Sequence, residues 1–263
     1  SGKSALAIKI AKKFDGEIVS ADSRQVYRGM DIGTAKPEVQ RPSGISNFKF
    51  LIFKQTSNPK SQKSKTIIAP IISEGIPHYL IDIKNPDENY TVAEYKRDAV
   101  KAINKILKNK KLPILVGGTG LYIKAIIDNL NIPEVAPDLK LRKKLEKEIE
   151  KYGLNFVLKK LIDIDPEAAY IIDPHNPRRI IRALEIAIKT KKPFSVQRQS
   201  GKPVFDFLEI GISASQRKLN DRINKRVDLM IKNGLIEEVK KLTKKYSIKQ
   251  QSFDAIGYRE IIG

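Results

Sequence analysis

The sequence predicts an α/β protein: a parallel sheet flanked by helices, with a helical domain inserted into it. Three observations carry this expectation. Short β-branched runs alternate with helical stretches through roughly the first 130 residues. Two of those runs lead into polar or glycine-rich turns, Glu17-Ile-Val-Ser-Ala-Asp22-Ser23 and Pro113-Ile-Leu-Val-Gly117-Gly-Thr-Gly120. Beyond residue 131 the texture changes to long lysine-rich helices, and no strand pattern returns until 205–211.

The elements follow in order. Ser1-Gly2-Lys3-Ser4 precedes a helical run over 5–13 and matches the second half of a phosphate-binding loop, G-x-x-x-x-G-K-[ST]. Such a loop needs a glycine whose backbone approaches phosphate oxygens, a lysine that reaches them and a hydroxyl that holds Mg²⁺. The helix behind it points a partly positive N-terminus at the same anion. The tetrapeptide taken alone also fits an ordinary surface turn. The first half of the loop and the strand that would lead into it are not in the sequence. Nor is an initiator methionine, so the chain reads as one whose natural start lies upstream.

Residues 17–21 read as a strand ending at Asp22 and Ser23. In a parallel sheet that edge is where ligands bind. An aspartate there can hold Mg²⁺, accept a proton from an attacking group, or simply cap a helix. Residues 22–37, with Gly29, Gly33 and Pro37, read as a functional loop. Residues 41–74 mix Ser, Lys, Asn and Gln with the apolar runs 48–53 and 67–72, and predict an extra surface loop or an inserted hairpin. A strand over 79–82 and a helix over 92–109 follow. Thr91 and Glu94 stand at capping-box positions, and Val92, Tyr95, Ala99, Ile103, Ile106 and Leu107 keep helical spacing.

A strand over 113–116, the glycine turn and a helix over 121–127 complete a second βα unit. The Gly-Gly pair is a plain turn or a close backbone approach to a ligand. Helices over 138–151, 154–163 and 177–190 form the insertion. The sheet resumes at 205–211, and helices over 214–233 and 235–246 follow. The domain expectation is therefore a discontinuous core, 1–130 with 201–263, around a helical insertion at 131–200.

Composition limits the chemistry. The 263 residues lack cysteine, which excludes disulfides and thiolate catalysis, and His78 and His175 are the only histidines. No long uncharged apolar stretch suggests a transmembrane helix, and the cytoplasm is the expected compartment. Fifty Lys+Arg against 30 Asp+Glu give a net charge of +20, which points to a polyanionic partner, nucleic acid before membrane. Arg178 and Arg182 share one face of their helix and suit a phosphate grip, or a solvated face with Arg–Glu pairs. Arg217, Arg222 and Arg226 recur along another helix, with Leu219, Ile223 and Val227 expected in the core. Phe253 to Arg259 joins aromatics to a basic group and suits base or backbone contact, although the aromatics alone fit a core better.

Several segments stand together in a known order: Ser1–Ser4, the run from Ser20 through Asp22-Ser-Arg-Gln-Val-Tyr-Arg-Gly-Met-Asp-Ile-Gly-Thr-Ala-Lys-Pro37, Gly75-Ile-Pro-His-Tyr-Leu-Ile-Asp82, Leu115-Val-Gly-Gly-Thr-Gly-Leu-Tyr122, the 176–185 segment and Ala255-Ile-Gly-Tyr-Arg259. In these the chain closely resembles the tRNA dimethylallyltransferase family, everywhere except 41–74. The resemblance implies a P-loop NTPase-like sheet with an inserted helical tRNA-binding domain. It implies transfer of a dimethylallyl group from its diphosphate to N6 of adenosine 37, in the tRNA anticodon stem-loop. By motif, Asp22 is the general base. Ser1, Gly2, Lys3 and Ser4 bind the diphosphate, Ser4 holds Mg²⁺ and Arg226 assists. Thr119 lines the reaction channel. The tRNA contacts fall on Asp22, Ser23, Arg24, Gln25, Thr119, Arg142, Arg178, Arg179, Ile180, Ile181, Arg182, Asp254, Ala255, Ile256, Gly257, Tyr258 and Arg259. A monomer is expected, and the family pattern continues past Gly263. Two rivals are a P-loop small-molecule or nucleotide kinase and a non-catalytic RNA-binding protein of the same fold.

Overall fold

The computed structural model of the protein describes residues 2–38, 69–133, 135–197 and 200–263. Ser1 and the heart of the expected 41–74 loop lie outside the described residues. The chain divides into two compact units, residues 1–123 with 209–263, and 124–208.

The first unit holds the sheet. Helix α1 (Lys3–Lys13) runs into β1 (Gly16–Ser20), followed by β2 (Ile71–Ser73), β3 (Ile76–Tyr79), α2 (Val92–Lys108) and β4 (Leu112–Val116). The strand order is β2-β3-β1-β4, with β1 parallel to both β3 and β4. Every residue of β1 is buried, as expected of a central parallel strand covered on both faces. Glu17 is the cost of that burial, and it is met by the Tyr79 hydroxyl at 2.8 Å and Lys111 Nζ at 3.4 Å. Helix α2 has the expected capping box: Glu94 N donates to Thr91 Oγ1 and Thr91 N to Glu94 Oε2. Its Tyr95, Ala99, Ala102, Ile103 and Ile106 form the buried stripe, while Leu107 stays 46% exposed.

Of the loop or hairpin expected over 41–74, the described end is a hairpin strand: Ile71–Ser73 pairs antiparallel with β3 through the two-residue turn Glu74-Gly75. Both turn residues have positive φ (49° and 77°), the geometry of a type I′ hairpin. Glutamate in place of the usual Asn or Asp hides that signal. The strand expected over 79–82 instead ends at Tyr79, because Leu80 and Asp82 adopt left-handed φ of 64° and 56°.

Helix α3 (Gly120–Ile127) leads to the second unit, built from α4 (Leu139–Tyr152), α5 (Leu154–Ile164), α6 (Ala168–Ile171), α7 (Pro177–Thr190) and α8 (Phe194–Gln197). Leu145, Val157, Leu161, Ala168, Ile172, Ile180, Ile181, Ala183 and Leu184 make its core. Asp138 caps α4 and Asn176 caps α7, with Pro177 at the first helical position.

The first unit closes with α9 (Gln216–Lys232), α10 (Leu235–Lys245), a 3₁₀ turn at Gln251–Asp254 and α11 (Tyr258–Ile262). Leu235, Val239, Leu242, Phe253, Ala255 and Tyr258 pack with Val26, Tyr27 and Met30 of the 22–37 loop. The sheet does not resume at 205–211. Leu208 and Ile210 are 88% and 58% exposed and the segment forms no strand. Alternation marks a segment that could be a strand, but a strand exists only with a ladder partner. The apolar positions of α9 are likewise not core, with Ile223 and Val227 at 48% and 45% exposure. Among the described residues, no helix is long and apolar enough to cross a membrane.

Candidate active site

Gly2 takes a left-handed φ of 85° and caps α1 with no side-chain hydrogen bond. The opening N–H groups of a helix have no acceptor within it, so the Gly-Lys-Ser turn presents donors and the positive dipole end together. Lys3 and Ser4 line a cavity of about 460 Å³. Asp22, Gln25, His78, Gly117, Gly118 and Arg226 line the same cavity. Helix α1, the end of β1, the end of β4 and helix α9 thus converge on one space at the C-terminal edge of the parallel strands. Helix α9 exposes its apolar residues, but Arg226 on it reaches this cavity.

Asp22 is oriented by its own turn. Its Oδ1 accepts the backbone N–H groups of Arg24 at 2.8 Å and Gln25 at 3.3 Å. That is the capping role the sequence allowed, and it occupies one oxygen. The other, Oδ2, faces Gly118, at 3.9 Å from where a β-carbon there would stand. One oxygen fixes the carboxylate and the other addresses the cavity.

Thr119, in the turn that follows the neighbouring strand β4, fixes the Asp22 turn from the other side. Ser23 N donates to Thr119 Oγ1 at 2.9 Å, Thr119 Oγ1 donates to Ser23 Oγ at 3.2 Å, and Thr119 N donates to Ala21 O at 3.0 Å. Gly117 makes this approach possible. A β-carbon there would lie 2.0 Å from Ala21 O, so Gly117 lets the backbone close on the end of β1. We expect Gly117→Ala to displace the Asp22 turn and destabilise the protein by about 2 kcal/mol or more, measured by urea denaturation.

The remainder of the 22–37 loop is wound tightly. Gln25 Nε2 donates to the carbonyls of Thr34 and Ala35, both at 3.2 Å, and its Oε1 accepts the Ser20 hydroxyl. Lys36, with a side chain only 4% exposed, reaches Tyr27 O, Asp31 and Asp82. Burial raises the Asp82 carboxyl above its ordinary range, although Lys36 opposes it. Sequence reasoning gave Lys36 and Asp82 no role, and their spacing of 46 residues carries no local signal. Burial lowers the His78 imidazole, so it adds no positive charge to the cavity at neutral pH.

The expected RNA contacts divide by their environment. Arg24 donates to the carbonyls of Gln251 and Ser252, which ties the loop to the 3₁₀ turn. Arg178 and Arg179 stand exposed at the head of α7. Arg142 and Arg182 instead converge on Glu185, which is fully buried. Burial pushes that carboxyl up, but bonds from Arg142, the Asp138 amide and Arg182 outweigh it and hold it at about 2. The Arg182–Glu185 spacing of three residues was the legible half of this cluster; the Arg142 partnership was not. Ile180, Ile181, Ala255 and Tyr258 are buried and pack in the two cores, whereas Asp254, Ile256 and Arg259 are exposed. Gly257, with φ 93°, opens α11.

A lysine–serine turn at a helix start, under the C-terminal edge of a parallel sheet and facing a carboxylate, defines a P-loop-type α/β protein built to act on a phosphorylated ligand. The chain belongs to the tRNA dimethylallyltransferase family: the IPP transferase family model matches residues 68–263. It is 44% identical to the tRNA dimethylallyltransferase of Acetivibrio thermocellus, covering all of this chain and 75% of that protein. It is 41% identical to that of Halothermothrix orenii, covering all of this chain and 72% of the relative. Among solved structures it is similar to the full-length tRNA isopentenylpyrophosphate transferase of Bacillus halodurans, with TM-score 0.59 and 38% identity over 99% of this chain and 72% of that one. A eukaryotic dimethylallyltransferase crystallised acting on tRNA aligns with TM-score 0.70 and 27% identity, over 99% of this chain and 60% of that one.

Proposed function

We propose that this chain transfers a dimethylallyl group from dimethylallyl diphosphate to N6 of adenosine 37 in tRNA. The observation that carries the proposal is the shared cavity of Lys3, Ser4, Arg226 and Asp22. Lys3 and Arg226 supply positive charge for a diphosphate, and Asp22 lines the same cavity. In the reaction the adenine N6 forms a bond to C1 of the allyl group as the C1–oxygen bond breaks. The electron pair leaves on the diphosphate, and the proton lost from N6 passes to the Asp22 carboxylate. An exocyclic amine is a weak nucleophile, so a positioned base removes charge as it develops on nitrogen. Cations preorganised around the leaving oxygen stabilise the opposite charge.

The donor set fits Mg²⁺. Among the described residues there is no cluster of three or more His, Asp or Glu, but Mg²⁺ commonly takes one or two protein oxygens and completes its shell from phosphate and water. The Ser4 hydroxyl would hold it, and bound there it would neutralise the departing diphosphate. We further propose a cytoplasmic monomer.

The target base must leave its stack to reach the cavity. Phosphate contacts from exposed basic residues, Arg178 and Arg179 among them, would hold the anticodon arm. Binding should weaken linearly in log–log salt titrations, with a slope of about −0.7 to −0.9 per phosphate contacted. The Arg178→Ala, Arg179→Ala double variant should reduce that slope by about one to two contacts without changing which tRNA is chosen. Incubation with labelled dimethylallyl diphosphate or with γ-labelled ATP separates the readings. Label entering tRNA from the first supports the proposal, and phosphate transfer from the second to a small molecule would favour a kinase.

A further inference from the structure

We propose that Glu238 is a positioning residue for the transfer reaction, an anchor on α10 that sets the Asp22 turn through the 31–35 loop. The inference rests on the function proposed above for that turn.

Glu238 does not line the cavity, yet its carboxylate is committed to the loop beside it. Oε2 accepts the backbone N–H groups of Asp31 at 3.0 Å and Ile32 at 2.9 Å, and Oε1 accepts that of Gly33 at 3.3 Å. Three successive amides on one carboxylate are charge-assisted bonds, stronger than neutral ones. The Tyr258 hydroxyl donates to the same Oε1. The Tyr258 ring lies where a Gly33 β-carbon would stand, 2.4 Å from that position. Helices α10 and α11 thus grip the loop from outside, one by charge and one by shape.

The grip is transmitted inward. The same loop offers the Thr34 and Ala35 carbonyls to Gln25 Nε2. Gln25 lines the cavity, and its backbone N–H donates to Asp22 Oδ1. Each link from Glu238 to the base is therefore a hydrogen bond or a stretch of two or three residues. Other anchors, Lys36 and Arg24, hold the loop at different points, so loss of Glu238 should loosen the 31–35 segment without unfolding the loop.

The experiment compares wild type with Glu238→Ala and Glu238→Gln. Glutamine keeps one acceptor oxygen but sets an amide N–H₂ against backbone donors, so its effect should be intermediate. Two readouts are taken: single-turnover prenyl transfer with tRNA affinity, and hydrogen exchange of backbone amides. We expect Glu238→Ala to lower the transfer rate about tenfold or more, with tRNA affinity within about twofold. Amides 31–36 and 24–25 should exchange faster, and those of α2 should not. A transfer rate within about twofold of wild type would overturn the proposal, as would weakened tRNA affinity at unchanged rate, or unchanged exchange at 31–36. If Glu238→Ala fails to fold, Glu238→Gln and Tyr258→Phe carry the same comparisons. Should wild type itself transfer no prenyl group, the functional reading fails, and the exchange data decide alone whether Glu238 holds the loop.

Discussion

Asp22→Asn should lower prenyl transfer by about 10²- to 10⁴-fold, the usual range for loss of a positioned general base. The substitution is clean for a structural reason. Asparagine keeps an oxygen able to accept the Arg24 and Gln25 amides that now bond Oδ1, so the turn survives. The change falls on the second oxygen, which becomes an N–H₂ and takes no proton. Binding of tRNA should persist, because no phosphate contact is removed. Single-turnover rates with affinity measured in parallel check both halves. A non-catalytic RNA-binding protein would show no change in either.

Glu185→Ala should destabilise the second unit by about 3 kcal/mol, the low end of the range for breaking a buried ion pair by removing one partner. The low end applies because Arg142 and Arg182 are 31% and 35% exposed and can turn towards water. The bond from the Asp138 amide is lost as well. Denaturant unfolding measures the effect. The same carboxylate predicts an acid response. Its folded value, about 2, lies below the ordinary 4.5. A depressed folded value means the stabilisation is fully present above about pH 4.5 and is lost as pH falls towards 2. Wild type should lose stability through that window, and Glu185→Ala should lose less.

Local patterning was legible wherever one chain segment decides its own state. The Thr91–Glu94 box, the α2 stripe from Tyr95 to Ile106 and the break between α4 and α5 at Gly153 stand where spacing placed them. Failures came where a second segment decides. Residues 205–211 alternate like a strand without a partner, and the α9 stripe is apolar without a cover. A hairpin was allowed within 41–74, but Glu74-Gly75 did not mark its turn, because a glutamate stands at positive φ.

The candidate site divides in the same way. Lys3, Ser4 and Asp22 were readable because each sits at the end of an element whose type was clear. Glu238 and Lys36, which brace the 22–37 loop, do so across 46 to 207 residues of sequence. No single-sequence pattern encodes such pairs. Tyr258, an aromatic in a basic segment that suited either RNA contact or core, has its ring wholly buried against Gly33.

The most direct test is nucleoside mass analysis of tRNA incubated with the full-length enzyme, dimethylallyl diphosphate and Mg²⁺. We predict one adenosine per substrate tRNA, beside the anticodon, heavier by a single five-carbon prenyl unit, and none with Asp22→Asn. An unmodified adenosine pool, or equal prenylation by the variant, would contradict a carboxylate and a diphosphate cradle working across one cavity.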